Sequence, residues 1–267
     1  MDMHENGNMG FLDSEPTTYF STKYIYSIPY RCLYSVNIDN LFVGGRAISV
    51  SHMAFGSTRV MATCAVVGQA VGTAAALCNE KGISPRELTK HIEELQKTLA
   101  LDDCYIPNYK LLLPNDLART AVISASSEKY PVENLVNGEL RNYGRQINCW
   151  QSDGIARDGE WIRLNWSNPQ TIKSLILRFD SDLSSELTIT LSDKIRANQK
   201  PFPNTLVKNY SVYIYNDKKL VKKIEKTNNF LRLNRLETEV IADEIEIRFS
   251  ETYGADCVSV YSVNILG

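Results

Sequence analysis

The sequence predicts an α+β chain of two parts, residues 1–115 with a helical core and residues 116–267 built of strands alone. Two observations carry the division. Apolar residues recur at helical spacing as far as Leu99, and beyond Asn115 the period changes to two. Between them lies "LDDCYIPNYKLLLPND", a connection punctuated by prolines, with the boundary near Asn115. At 267 residues the chain has room for two ordinary domains, and 43% hydrophobic with 22% charged residues is a soluble globular composition.

The first forty residues, including "EPTTYFSTKYIYSIPYRCLYSVNIDN", mix polar and aromatic side chains and read as an ordered surface with short strands. Asp39-Asn40 make a turn before Leu41-Phe42-Val43, an apolar run that Gly44-Gly45 stop, as a buried strand feeding a tight loop would be. A long helix is expected from near Gly56-Ser57-Thr58 to Lys81-Gly82, where a lysine and then a glycine are stop signals. A further helix should begin with Ser84 as N-cap, Pro85 at its first helical position and Glu87 closing a capping box. Its Leu88, Ile92, Leu95 and Leu99 form one apolar face.

Past the boundary, "EWIRLNW", "IKSLILRF", "LTITL", "YSVYIY", "KLVKKI", "DEIEIRF" and "CVSVYSVNIL" are short strand segments without intervening helices, which means a β-sandwich. Alternation is cleanest in "DEIEIRF", with Ile245, Ile247 and Phe249 on one face and Glu244, Glu246 and Arg248 on the other. Lys218, Lys219, Lys222 and Lys223 around "NDKK" read as protection of an edge strand.

Bulk properties exclude some functions. A net charge of -2 and a pI near 6.0 give no basic footprint for nucleic acid. The six cysteines are spread without a C-x-x-C pair or metal-ligand spacing, and read as reduced, mostly buried thiols. Cys149 and Cys257 alone share the C-terminal region and would be the pair to bridge in an oxidising compartment. The amino end "MDMHENGNMG" has neither a basic nor an apolar signal region, so the chain reads as soluble and cytoplasmic as written, with export open if it is a fragment. Val60 to Cys78 carries no charge and approaches the length of a membrane span. It is made of Ala, Gly, Thr, Cys and Gln69 with Leu77 as its one leucine, too weakly apolar for hydrocarbon, so no membrane span is expected.

A strand, a glycine turn and a helix start rich in small and hydroxyl residues form a receptor for an anion or an electron-rich ring edge. Here "NLFVGGRAISVSHMAFGSTRVMATCAVVGQAVGTAAAL" resembles the C-terminal flavin-binding segment of a family of bacterial FAD-dependent oxidoreductases, and the likeness extends upstream through "YSIPYRCL" toward "DMHENG". The resemblance implies FAD as cofactor. It sets Gly45 and Arg46 along the ribityl or pyrophosphate, with Gly44 and Gly45 giving the close approach, and Ser57, Thr58, Arg59 and Val60 near the isoalloxazine. Helix N–H groups and a cation there would stabilise the negative charge of reduced flavin. Gly68 and Gly72 would let the helix pack closely on a nucleotide domain. The strand, Gly-x-Gly-x-x-Gly turn and helix that hold the ADP moiety are absent from the sequence, so half of the site is expected elsewhere. His52 is the candidate proton donor or acceptor, with a loop histidine bonded to backbone as the alternative. His4 and Cys64 are lesser candidates, and Cys64 reads as helix packing.

"ISASSEKYPVENLVNGELRNYGRQINCWQSDGIARDGEWIRLNW" resembles the start of a discoidin-like module, coagulation-factor 5/8 type C, of the galactose-binding-like sandwich fold. The matching residues are Ala125-Ser126-Ser127, Asn134 to Gly138, Trp150 and Trp161-Ile162. Such modules bind sugars or other surface ligands through loops at one end. Trp150 and Trp161 read as core aromatics. Asn134, Asn137 and Asp153 offer oxygen ligands, too few to assign a metal.

The fold class is thus an α+β multidomain chain, the C-terminal fragment of an FAD-binding α/β domain followed by an all-β galactose-binding-like sandwich. The expected function is the flavin-facing part of an oxidoreductase acting on a small molecule or carbohydrate, with a possible glycan ligand on the sandwich. The alternative is a non-enzymatic carbohydrate-binding or adhesion protein whose first domain is a degenerate scaffold.

Overall fold

In the computed structural model, which describes residues 2–3, 18–19, 25–155, 158–185 and 190–267, the small-residue stretch after Ser51 folds as two helices rather than one. Strand β1 (Asp2–Met3) pairs antiparallel with β2 (Thr18–Tyr19) ahead of them. Helix α1 (His52–Thr58) is capped by Ser51, whose hydroxyl accepts from the Ala54 N–H at 3.3 Å. Val60 is extended, with φ -69° and ψ 147°, and the long helix α2 (Met61–Lys81) starts after it. The expected start at Gly56-Ser57-Thr58 is therefore corrected: these residues close α1. Thr58 turns its hydroxyl back onto the Ala54 carbonyl at 3.1 Å, a bond that serves the end of a helix and not the start of one. The stop at Gly82 is as expected. Its φ of +63° is the left-handed conformation glycine adopts freely, and its N–H closes the last turn on Asn79.

The capping box at Ser84 and Glu87 forms reciprocally, with the Ser84 N–H on Glu87 Oε2 at 2.9 Å and the Glu87 N–H on Ser84 Oγ at 3.4 Å. It opens a tight 3-10 stretch, Glu87–His91, and α3 proper runs from Ile92 to Leu101. The predicted face holds: Leu88, Leu95 and Leu99 are buried, with Ile92 beside them, against Ala74, Leu77 and Cys78 of α2. Leu41-Phe42-Val43 is not a buried strand. Only Phe42 bridges to Tyr34, because the partner segment Tyr30–Leu33 is itself a 3-10 turn and offers no longer edge.

The chain divides into two compact units, Met1–Tyr109 and Lys110–Gly267. The second is built on strands joined by long loops: β3 (Val122–Ala125), β4 (Trp150–Gln151), β5 (Glu160–Phe179), β6 (Val207–Asn216), β7 (Lys219–Lys226), β8 (Leu233–Thr252) and β9 (Ser259–Leu266), with a short α4 (Asp193–Asn198) and 3-10 turns at Leu117–Thr120 and Val132–Val136. "EWIRLNW" and "IKSLILRF", expected as separate strands, are halves of the 20-residue β5, and "DEIEIRF" lies in the equally long β8. Register shifts between Asn165 and Gln170 bend this pair. One half, Glu160 to Asn165 against Glu244 to Phe249, lies with β3, β6 and β7; the other, Gln170 to Phe179 against Leu233 to Ala242, lies with β9 and β4. The two layers close on a single core that includes Trp150, Ile162, Leu177, Phe179, Ile247, Phe249 and Val260. This is an antiparallel β-sandwich. "LTITL" falls mostly in 186–189, outside the described residues.

The edge strand is β7, where the lysines were expected, and its hairpin turns at Asp217 and Lys218 with φ of 48° and 61°. Alternation in "DEIEIRF" places Ile245, Ile247 and Phe249 inside, yet Glu246 on the outer face is also buried, at 2% exposed. Arg163 and Arg248 cover it from neighbouring strand positions, and Arg163 lies over the Trp161 ring at 4.6 Å. Burial pushes the Glu246 carboxyl up, but hydrogen bonds from Arg163 and Arg248 outweigh it and hold the group below the usual carboxylate range. A group with a depressed folded pKa contributes stability above its unfolded value and loses it as pH falls through the folded one. The melting temperatures of wild type and Glu246→Gln should therefore differ at neutral pH and converge in acid. A gap that persists in acid would assign the effect to packing instead.

A buried relay joins the end of β9 to the entry of the sandwich. Arg178, fully buried, donates to Asn264 Oδ1 at 3.0 Å, and the Asn264 amide donates to Asp116 Oδ2 at 2.7 Å. Asp116 Oδ1 accepts from the Ile265 and Ala118 N–H groups at 2.8 and 3.1 Å. Two opposite charges thus meet through one oriented amide.

Candidate functional site

In the first unit, the features that could receive a cofactor gather at the start of α2. Residues Met61, Ala62 and Thr63 form its first turn, whose N–H groups have no partner within the helix, whereas the Cys64 N–H already bonds Val60 at 2.9 Å. No acidic side chain lies in that turn, so the partial positive charge of a 21-residue helix is not offset there. Gly45 adopts φ +58°, and a Cβ placed on it would come 4.0 Å from that of Cys64, so the glycine turn lies directly against this end of the helix. Arg46, exposed, donates from Nε to the Arg59 carbonyl at 3.2 Å, which holds its guanidinium beside the α1–α2 junction.

The candidate residues separate into two groups. Gly45, Arg46, Arg59 and Val60 lie at the α2 start, whereas Gly44 stands against Val71, midway along α2. Ser57 and Thr58 stand at the C-terminal end of α1 and supply no helix-start donors. The Ser57 hydroxyl pairs with the Tyr26 hydroxyl, and the Thr58 side chain is 3% exposed overall and spent on Ala54. His52 begins α1, about 9 Å of helical rise from Thr58, and is exposed. Cys64 donates its thiol to the Thr58 carbonyl at 3.7 Å, consistent with packing. His4 lies outside the described residues. The donors at Met61 to Thr63 were missed by sequence reasoning. Ser51, a hydroxyl residue just before an apolar run, was the available signal that a helix starts earlier and must therefore end before the next begins.

The outward face of α2 is chemically unusual. Met61, Ala62, Ala65, Val66, Gly68, Gln69, Gly72, Ala75 and Ala76 are exposed, with Met61 at 71%. A Cβ added at Gly68 or Gly72 would meet nothing within 4 Å. A helical glycine costs up to about 1 kcal/mol against alanine, and nothing among the described residues uses the space it leaves. By length and composition this helix is apolar enough to cross a membrane, which differs from the expectation drawn from its scarcity of leucine, since valine, alanine and cysteine supply the hydropathy.

In the second unit, strand order brings to one end the segments 126–149, 152–155, 158–159, 180–185, 199–206, 227–232 and 253–258. Arg232 ties its own loop to 126–149 and to the adjoining strands, donating to the Phe179 carbonyl of β5 at 2.8 Å and to the Leu140 carbonyl while its guanidinium lies 4.9 Å over Tyr261 of β9. Trp150 is a core residue, fully buried with its indole N–H on the Ser127 carbonyl at 3.0 Å. Trp161 is not: it stands half-buried on the outer sheet face under Arg163. Asn134 and Asn137 spend their amides within the protein, Asn134 across to the Cys149 carbonyl and Asn137 on Asn134 Oδ1 inside the turn. Among the described residues no three His, Cys, Asp or Glu side chains gather to hold a metal. The six cysteines are free thiols, and burial pushes Cys149 up to about 12.

Residues 1–99 match the family described as FAD dependent oxidoreductase. The match contains the glycine turn and both helices, α1 and α2. Solved structures similar to the C-terminal part include the family 32 CBM from C. perfringens NanJ in complex with galactose, at 16% identity and TM-score 0.40, covering 57% of this chain and 97% of that one. The lectin domain of lectinolysin complexed with Lewis B antigen aligns at 15% identity and TM-score 0.43, covering 57% and 96%. A Streptococcus pneumoniae fucose binding module, SpX-3, aligns at 13% and 0.43, covering 57% and 97%. No curated protein matches the chain.

Proposed function

We propose that residues 1–109 supply the flavin-facing part of an FAD-dependent oxidoreductase, and that the sandwich is its carbohydrate-binding module. The observation that supports the first half is the convergence of the α2 N-terminus, the left-handed Gly45 and the Arg46 guanidinium within a segment matching that family. These groups fit a flavin: backbone donors and a cation for an electron-rich ring edge, and a glycine for close approach. Bound FAD would supply hydride chemistry. The chain's own residues orient the ring edge and favour negative charge on it. A dinucleotide-binding fold, absent from residues 1–267, holds the ADP moiety and covers the small-residue face of α2, which accounts for Gly68 and Gly72. His52 is proposed as the proton-handling residue only if that fold brings substrate to the start of α1.

The test is to produce residues 1–267 together with a dinucleotide-binding part encoded beside them and to read visible flavin absorbance. A yellow complex is the expected result; a colourless one, with both parts folded and associated, overturns the reading. In that complex Arg46→Ala should weaken flavin retention about tenfold, the scale of one charge-assisted hydrogen bond, and shift the flavin potential downward. An unchanged potential would remove Arg46 from the site.

A further inference from the structure

We propose that the edge strand β7 receives an acidic, extended segment of a partner protein, which adds to the sheet as a further strand. Among the described residues β7 pairs with β6 alone and closes one end of the strand order. The main-chain N–H and C=O groups of its outer side therefore face away from the sheet. Its length sets it apart: β3 and β4, which also have one neighbour each, run for four and two residues, whereas β7 runs for eight.

The charge of this edge selects the partner. Residues 218–226 hold five lysines against one glutamate, in a chain of net charge -2. Lys223 is spent locally, ion-paired with Glu225 and 5.2 Å over the Tyr213 ring. Lys218, Lys219, Lys222 and Lys226 enter no ion pair among the described residues. Lysines on an edge prevent it from pairing with its own copies, since β7 beside β7 would set lysine against lysine. An acidic strand turns the same repulsion into attraction, so the edge excludes one class of strand and admits another. Protection alone gives no role to exposed aliphatic side chains, yet Leu220 is 52% and Val221 48% exposed.

Register defines what the incoming strand carries. Lys222, Ile224 and Lys226 stand opposite Ile214, Val212 and Tyr210, all core residues, so these three share the core-side face of β7. Ile224 packs against that core, and the two lysines flank it about 13 Å apart, the rise of four strand residues. Cross-strand neighbours that complement this row are acidic, aliphatic and acidic at alternate positions. A sulfated or uronic polysaccharide would meet the lysines but has no alternating donors and acceptors for the main-chain edge. The edge therefore fits a polypeptide, added by strand augmentation.

The experiment titrates the full chain with labelled peptides, TETITET, its charge-reversed form TKTITKT, and TETITET N-methylated at one or the other alternate set of amides, reading fluorescence anisotropy. TETITET should bind and TKTITKT should not. One methylated set should weaken binding at least about tenfold and the other should not, because a strand added to an edge uses the amides of one side only while every charge is kept. A chain carrying both Lys222→Glu and Lys226→Glu should bind TETITET about tenfold more weakly and TKTITKT more tightly. Its melting temperature should stay that of wild type, since Lys226 is exposed and Lys222 half-buried. If both methylated peptides bind as the parent does, the lysines form a patch for polyanions and strand addition is overturned. It is overturned equally if TETITET does not bind, or if sedimentation shows a wild-type dimer that the double variant loses, which would assign the edge to a second copy.

Discussion

Asp116→Ala is expected to destabilise the sandwich by about 3 kcal/mol, the scale for leaving several buried donors without their acceptor. Alanine leaves the buried Asn264 amide without its acceptor, and that bond is what turns Asn264 Oδ1 toward the buried Arg178 guanidinium. The change also strips acceptors from the Ile265 and Ala118 N–H groups. Urea unfolding followed by tyrosine and tryptophan fluorescence measures it. A loss below about 1 kcal/mol, the range of an ordinary surface change, would mean that water takes over both roles. The pH profile adds a second check. Burial raises the Asp116 carboxyl above its ordinary value, against the lowering by Asn264 and the two N–H groups. A carboxyl with a raised folded pKa contributes most below its unfolded value, and the contribution declines as pH rises through the folded one. The alanine variant should lack that decline.

Gly159→Ala should cost a comparable amount, about 3 kcal/mol, by a different mechanism. Gly159 has φ +81°, and a Cβ there would lie 2.6 Å from the Phe249 carbonyl oxygen, which is backbone and cannot turn aside. The ladder between β5 and β8 begins at the next residue, with Glu160 opposite Phe249, so relief of the clash must open its first rung. Hydrogen exchange at Glu160 to Ile162 should rise with the loss of stability. Protection equal to wild type would show that the loop 152–159 absorbs the strain instead.

The parts of the candidate flavin site differ in how they could be read. Gly44, Gly45 and Arg46 were visible as residue types in a pattern, because close approach and positive charge need those residues whatever surrounds them. Which N–H groups they face was not visible. Sequence order puts Ser57 and Thr58 beside a helix start, but the Ser51 cap moved the first helix upstream and made them its end. At the sandwich, Trp161 was misjudged as core because a tryptophan after Glu160 looks the same on either face of a strand. Its partner Arg163, two residues on, decides the face.

By itself the sequence determined what depends on neighbours along the chain: the alternation that buries Ile245, Ile247 and Phe249, the glycine stop at Gly82, the reciprocal box at Ser84 and Glu87, and the leucine face of α3. Each is set by backbone geometry over one or two turns or pleats. Only the tertiary structure decided what joins distant segments: the Asn264–Asp116 bond across 148 residues, the meeting of Phe202 with Tyr253, and the merging of predicted short strands into β5 and β8. Those contacts depend on which loops and strands the packed layers bring together, and local spacing carries no record of that.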